Sequence, residues 1–298
     1  MTASSPIRGL WCASLTPVEQ GAGIDCAEFV AHVRALLASG VDGIVPFGTT
    51  GEGPSFSVDE RRKGLEALLG AGIAPSSVAV ATGCAAFTDT LALTRHALES
   101  GCPRCLVMPP FFWKNLANEA VFCFYAGLIE TLGDSRLRLY LYHIPQLSAV
   151  AVAPEVVGRL ARAYPETIAG VKDSSGDFEN TARLLAVVPQ LSILVGHEPH
   201  LPRSMRAGGA GTICGIANVY PRLVAALLQP DRSSDAQARI RRLLEIIRNY
   251  PMVPALKAIR AAQAVDEAHW LAVRPPLRPL AAVERQDLLE SLKPFAAP

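Results

Sequence analysis

The chemistry in this chain gathers around one lysine. Lys172 closes the small and apolar run Ile168-Ala169-Gly170-Val171 and is followed at once by the polar stretch Asp173-Ser174-Ser175-Gly176-Asp177. The chain has five lysines among 28 lysines and arginines. The other four, Lys63, Lys114, Lys257 and Lys293, fall in polar, helical or terminal settings. A lysine at the mouth of an apolar strand loses hydration, and its charged form is disfavoured. A neutral amine can add to a ketone and form a Schiff base. The competing reading is a side chain that snorkels from a strand end, so the surroundings must decide.

A second cluster of reactive types is Tyr140-Leu141-Tyr142-His143-Ile144-Pro145. Side chains alternate along a strand, so Tyr140 and Tyr142 share one face while Leu139 and Leu141 take the other. Gly170 and Lys172 share a face in the same way. If the two runs are adjacent strands, Tyr142 and Lys172 point into one space, where a phenol can shuttle protons during imine chemistry. A packed tyrosine with a satisfied hydroxyl is the alternative. His143 alternates away from Tyr142 and reads as loop support.

Glycine-rich turns supply the remaining candidates. Gly48-Thr49-Thr50-Gly51-Glu52-Gly53 combines close backbone approach with adjacent hydroxyls and N–H groups, which suits a carboxylate or a phosphate. A turn whose threonines bond their own backbone would look the same. Gly196-His197-Glu198 and Gly208-Gly209-Ala210-Gly211-Thr212-Ile213 add two further turns, the latter able either to hold a phosphate or simply to pack tightly.

The elements that would position these residues follow one alternation: a short β-rich run, a polar or glycine-rich break, then an amphipathic helical pattern. Expected strands are Leu10–Leu15, Gly43–Phe47, Ser77–Thr82, Cys105–Met108, Arg138–Tyr142, Ile168–Lys172, Ser192–Val195 and Gly211–Cys214. Expected helices are Cys26–Ser39, Val58–Leu69, Thr88–Glu99, Asn118–Leu132, Pro154–Ala163, Phe178–Val187, Pro199–Ala207 and Pro221–Leu228. Asp25 and Ser57 are N-cap candidates with a glutamate three residues on, and Gly40, Gly101 and Gly133 suit helix ends. Eight such units are the content of a (β/α)₈ barrel. An open doubly wound sheet is the alternative, but no G-x-G-x-x-G follows the first strand. After about residue 230 only helical patterns remain, at Ala236–Tyr250, Met252–Val265 and Val283–Leu292. Residues 1–230 are therefore expected to form the barrel, with 231–298 a helical extension packed on it as one structural unit.

Composition narrows the function. A net charge of +1 with no basic stripe gives nucleic acid or a membrane surface nothing to hold. No apolar run reaches the length of a membrane span, and Met1–Arg8 is too short and polar for a signal peptide. Seven dispersed cysteines fit reduced thiols and a cytoplasmic location. Cys102-Pro103-Arg104-Cys105 lacks a second pair or a histidine at metal spacing. The six scattered histidines offer no metal centre of the kind a class II aldolase needs.

Taken together, GTTGE at 48–52, Y-x-x-P at 142–145 and G-x-K-D-S-S-G-D at 170–177 resemble the dihydrodipicolinate synthase/N-acetylneuraminate lyase family of pyruvate-dependent class I aldolases. The resemblance runs from about Ile7 to the C-terminal helices. It implies a (β/α)₈ barrel with C-terminal helices, assembled as a homo-oligomer, usually a homotetramer, with a dimer the alternative. It implies that Lys172 forms the imine with pyruvate or another 2-oxo acid and that Tyr142 shuttles protons. Thr49 and Thr50 would hold the keto-acid carboxylate, Thr50 also joining the relay, and Ile213 would present a backbone carbonyl to the lysine. Gly48 and Gly196 would line the substrate space. The imine is itself the electron sink, so neither a metal nor an organic cofactor is implied.

The departures concern the second substrate, an aldehyde. Synthases of this family carry paired tyrosines where this chain has Phe111 and Phe112, within Pro110-Phe111-Phe112-Trp113. They carry an arginine where this chain has Leu147, which cannot grip a carboxylate and instead resembles the lyases. Gly196-His197-Glu198-Pro199 matches the lyases' acidic segment only in part. The expectation is a pyruvate-dependent aldolase or lyase whose acceptor is not aspartate semialdehyde and is less polar. The alternatives are 4-hydroxy-tetrahydrodipicolinate synthase proper, or a keto-acid-binding homologue without turnover. Gly53, Pro54, Ala85 and Phe111 replace the family's lysine-feedback positions, so L-lysine is expected not to inhibit.

Overall fold

A computed structural model describes residues 6–19, 23–264 and 267–295. Eight short strands alternate with helices along the chain. The strands are β1 (Gly9–Cys12), β2 (Gly43–Ile44), β3 (Val80–Ala81), β4 (Arg104–Val107), β5 (Arg138–His143), β6 (Ile168–Asp173), β7 (Ser192–Val195) and β8 (Gly211–Cys214). They form one parallel sheet in the order β2-β1-β8-β7-β6-β5-β4-β3. Its two ends meet where Ile44 bridges Val78 in parallel. The Ala79 and Ala81 N–H groups donate to the Ile44 and Pro46 carbonyls across that seam, at 3.0 and 3.2 Å. The sheet is thus a barrel, as the alternation implied.

Around it run α1 (Cys26–Ala38), α2 (Val58–Gly70), α3 (Phe87–Glu99), α4 (Asn118–Leu132), the single turn α5 (Pro145–Ser148), α6 (Pro154–Ala163), α7 (Phe178–Val187), α8 (Leu201–Arg206) and α9 (Pro221–Ala226). Both expected caps form. Asp25 accepts from the Glu28 N–H, and Ser57 and Glu60 close a reciprocal capping box. Gly40, Gly101 and Gly133 take positive φ just past their helices. The extension follows as α10 (Ser234–Ile247), α11 (Met252–Ala261), α12 (Ala268–Leu271) and α13 (Ala282–Ser291).

Where elements are shorter than expected, the backbone supplies the reason. Strand β2 stops at Ile44 because Pro46 has no N–H for the ladder and Phe47 turns left-handed, at φ 60°. The start of the third strand is taken by a 3₁₀ turn, Pro75–Ser77. The expected helix at Pro199–Ala207 splits into a 3₁₀ turn, Glu198–His200, and α8. The pattern ending at Val265 closes at Ala261, and Val265 itself lies outside the described residues, as do positions 1–5 of the N-terminal segment.

Alternation sorts the side chains into two cores. Leu139 and Leu141 face the helices in the larger one, while Tyr140 and Tyr142 face the barrel axis with Trp11, Leu106, Leu194 and Ile213. The Tyr140 hydroxyl accepts the Ile7 N–H at 2.8 Å, so the lower interior is filled. Any space for a substrate is therefore at the other end, above the C-terminal edges of the strands, where barrels of this kind do their chemistry.

Candidate active site

Strands β5 and β6 place the two central residues side by side: Tyr142 pairs with Lys172 in register. The lysine is only 5% exposed, and its Nζ stands 4.2 Å from the centre of the Tyr142 ring. An amine against an apolar wall and a π face is held in one orientation rather than free to snorkel. The Tyr142 hydroxyl lies 3.3 Å from Thr49 Oγ1. Amine, phenol and threonine hydroxyl thus converge from β6, β5 and the turn after β2.

Two glycines clear the space. A Cβ on Gly196 would stand 1.9 Å from Ser174 Oγ and 3.3 Å from Lys172 Cε, so a side chain there would press on the lysine stem. A Cβ on Gly215 would come within 2.9 Å of Thr50 Oγ1 and 3.3 Å of Leu256 in α11. Thr49, not Thr50, is therefore the hydroxyl that meets Tyr142, whereas Thr50 turns toward the loop after β8. Gly48 closes its turn by accepting the Gly53 N–H at 3.0 Å. Ile213 sits fully buried in β8, opposite Trp11.

The polar turn behind the lysine has a purpose that its sequence did not reveal. The buried Asp173 carboxylate accepts four hydrogen bonds: from the Ser175 N–H at 3.0 Å, Ser175 Oγ at 2.7 Å, Asn180 Nδ2 at 2.9 Å and Thr181 Oγ1 at 2.8 Å. One side chain thereby pins the end of β6 to the first turn of α7. Gln146 adds a clip, donating to the Ser174 carbonyl at 2.7 Å. His143 accepts the Val152 N–H at its Nδ1, 3.0 Å away, and so supports the loop after β5.

Asn218, also unmarked by the sequence, ties the far wall together. Its Nδ2 donates to the Ala13 and Gly215 carbonyls, each at 2.8 Å, and its Oδ1 accepts the Leu15 N–H at 2.9 Å. His32 meets the same oxygen through Nε2 at 2.9 Å, and Arg260 donates to His32 Nδ1 at 3.3 Å. The ring is a neutral imidazole by this geometry, and burial lowers its pKa to about 4.

Glu198 is buried beside the lysine. Burial pushes its carboxyl above the usual range, against hydrogen bonds from its own N–H, the Ile216 N–H and Cys214, and against the Lys172 charge. Histidine 197 meets Arg248 at 2.9 Å, and burial holds its pKa at about 4. Among the described residues, no group of three or more His, Cys, Asp or Glu side chains could hold a metal ion. No helix among them is long and apolar enough to cross a membrane.

The exposed rim of the mouth differs. Phe112 and Trp113 are 68% and 67% exposed and meet edge to face at 5.3 Å, while Leu147 on α5 is 58% exposed. Exposed in this way, they are available to a second substrate or to another surface.

Comparison with known proteins finds similarity over nearly the whole chain. A family model described as the dihydrodipicolinate synthetase family matches residues 6–294. An uncharacterized DapA-like lyase of Chloroflexus aurantiacus is 36% identical, the match covering 93% of each chain. A 4-hydroxy-tetrahydrodipicolinate synthase of Rhizobium meliloti is 30% identical over 97% of this chain and 95% of its own. The crystal structure of dihydrodipicolinate synthase from Agrobacterium tumefaciens superposes with a TM-score of 0.90 at 32% identity, over 98% of this chain and 100% of the other.

Proposed function

This chain belongs to the dihydrodipicolinate synthetase family and is a lyase of that family, and from that premise we propose that it makes or breaks a C–C bond next to pyruvate or another 2-oxo acid through an imine on Lys172. The observation that carries the reading is the line Lys172–Tyr142–Thr49 at the barrel mouth, with its 4.2 and 3.3 Å spacings. The Lys172 amine adds to the C2 carbonyl, a carbinolamine forms, and loss of water leaves the imine. Tyr142 is placed to return the proton that turns the departing hydroxyl into water, and Thr49 to relay it. Loss of a C3 proton then gives an enamine that attacks an aldehyde; the reverse order cleaves the aldol. The substrate carboxylate falls to the Thr49–Thr50 turn and its backbone N–H groups, with Gly48 and Gly196 leaving room and Ile213 behind. No cofactor is required in this scheme. We place the enzyme in the cytoplasm as a homo-oligomer, dimer or tetramer.

The acceptor we favour is not aspartate semialdehyde. Leu147 offers no charge to a carboxylate, and the exposed aromatic pair Phe112 and Trp113 suits a less polar aldehyde. Binding of a keto acid without turnover is the second reading. It is favoured by Phe111 and Phe112, which carry no hydroxyl where the resemblance implies paired tyrosines, so that neither can extend the Tyr142–Thr49 contact.

Borohydride reduction in the presence of pyruvate, followed by intact mass and peptide mapping, tests the imine. A pyruvate-sized adduct confined to the Lys172 peptide is expected; a folded protein with no adduct there defeats the reading. Rapid condensation of pyruvate with aspartate semialdehyde would overturn the acceptor assignment and restore 4-hydroxy-tetrahydrodipicolinate synthase. An adduct with no product from any of a broad aldehyde panel would favour the binding protein.

A further inference from the structure

The turn that receives the keto acid is bracketed by two non-glycine residues in left-handed backbone, Phe47 at φ 60° and Glu52 at φ 56°. Such residues persist only where the surroundings over-determine them. Phe47 is held by the core: its ring is 5.8 Å from that of Phe29 and lies against Gly64 on α2. Glu52 is held differently. Its side chain is wholly buried and ion-paired with Lys257, a residue of α11 that is itself 1% exposed. Lys257 also donates to the Ala272 carbonyl at 2.8 Å, and the second Glu52 oxygen accepts the Arg274 N–H at 2.7 Å. Arg274 in turn pairs with Glu60 and covers the Phe56 ring at 4.9 Å. The neighbouring residue on α11, Leu256, packs near Thr50: one Cβ placed on Gly215 would meet Thr50 Oγ1 at 2.9 Å and Leu256 at 3.3 Å. Adjacent residues of α11 therefore approach the turn at two points, Lys257 at Glu52 and Leu256 near Thr50.

We infer that Lys257 is a positioning residue: through Glu52 it holds the turn in the left-handed shape that aims the Thr49 and Thr50 hydroxyls and N–H groups at the keto-acid carboxylate. The helical extension is thereby part of the substrate site, although none of its residues need touch the substrate. This inference rests on the reading of that turn as the keto-acid binder, and its test separates the two.

Three full-length proteins decide it: wild type, Lys257→Met, and the double variant Glu52→Gln/Lys257→Met. The double variant keeps the buried volume and leaves no unpaired charge, since removing both partners of a buried pair is tolerated far better than removing one. Hydrogen exchange of the peptide covering residues 47–53 is followed without ligand, and half-saturation of borohydride trapping is followed against pyruvate. Both variants should exchange this peptide about tenfold faster and need about tenfold more pyruvate, as small misplacements of a positioned group cost that much or more. The adduct at saturation should still be complete on Lys172, because the amine is untouched. A double variant that melts like wild type while keeping the loose turn would establish positioning apart from stability. Wild-type exchange and wild-type half-saturation in that variant would overturn the inference. If wild type itself takes no pyruvate, the imine reading fails, and exchange of the 47–53 peptide still decides whether Lys257 holds the turn.

Discussion

The two sides of the barrel mouth are built on opposite principles. On the buried side the polar groups meet one another: Lys172 lies against Tyr142, Tyr142 meets Thr49, and Asp173 accepts four bonds at the end of the lysine's strand. On the rim, Phe112, Trp113 and Leu147 stand more than half exposed. A buried polar constellation has its geometry fixed before substrate arrives, which is what imine chemistry needs. An exposed apolar rim is cheap to alter and adaptable. Under the proposed function, the contrast commits the buried half to one chemistry with the keto acid and leaves specificity for the second substrate to the rim. It also explains why the family is plain and the acceptor is not.

The sharpest way to break the comparison is at its centre. Lys172→Ala should abolish the borohydride adduct and lower turnover by on the order of 10³-fold or more, with folding checked by circular dichroism. An undiminished adduct in this variant would place the imine elsewhere and end the distinction between the two sides. Tyr142→Phe removes one hydroxyl and retains the ring under Lys172. Imine formation should slow by roughly 10²- to 10³-fold, the usual worth of a positioned proton donor, while half-saturation by pyruvate changes little. Stopped trapping at timed intervals separates the two quantities. Equal rates for Tyr142→Phe and wild type would remove the phenol from the relay.

The framework under the buried side predicts a pH dependence that the rim does not share. His32 is neutral in the folded state down to about pH 4, against an ordinary value of 6.5. Below 6.5 the unfolded chain takes up a proton that the folded chain refuses. Its contribution is therefore fully present above pH 6.5 and is lost as pH falls toward 4, roughly 3 kcal/mol in all. Denaturant unfolding at pH 7 and at pH 4.5 should show this loss, and His32→Gln should reduce it by about one proton's worth. The same slope in wild type and His32→Gln would mean that the Asn218–His32–Arg260 chain is not where acid acts.

Much of this was legible in the sequence, for identifiable reasons. Strands β5 and β6 were readable because the alternation of Tyr140, Tyr142, Gly170 and Lys172 is strict, and the helix from Asn118 to Leu132 because its period and its closing glycine agree. Strands β2 and β3 ran short at Pro46, Phe47 and Pro75, where backbone conformation overrides β propensity, and β1 ended at Cys12 rather than Leu15. The resemblance gave the relay to Thr50, whereas Thr49 is the hydroxyl that meets Tyr142, because which of two adjacent hydroxyls does so depends on the turn's handedness. Lys257, Glu52 and Asn218 stayed hidden because their partners lie 205, 205 and up to 205 residues away. A long-range buried pair leaves no local trace in composition or spacing.

The rim offers the smallest expected effects and the finest discrimination. Trp113→Ala and Leu147→Arg change exposed side chains, so both should leave pyruvate trapping at Lys172 within a factor of about two of wild type, as surface substitutions commonly do. Their effects should appear only when an aldehyde is present. Trp113→Ala should raise the KM for an apolar aldehyde by about tenfold or less, the worth of a partly buried aromatic contact. Leu147→Arg should shift preference toward aldehydes bearing a carboxylate, because a guanidinium can then grip it in two places. L-lysine at millimolar concentration should leave the rate unchanged in all of these proteins. Trapping kinetics with pyruvate alone, set beside KM values for a neutral and an anionic aldehyde, check the whole set. If either rim variant weakened pyruvate trapping itself, the rim would be part of the keto-acid site, and the two sides of the mouth would have to be treated as one.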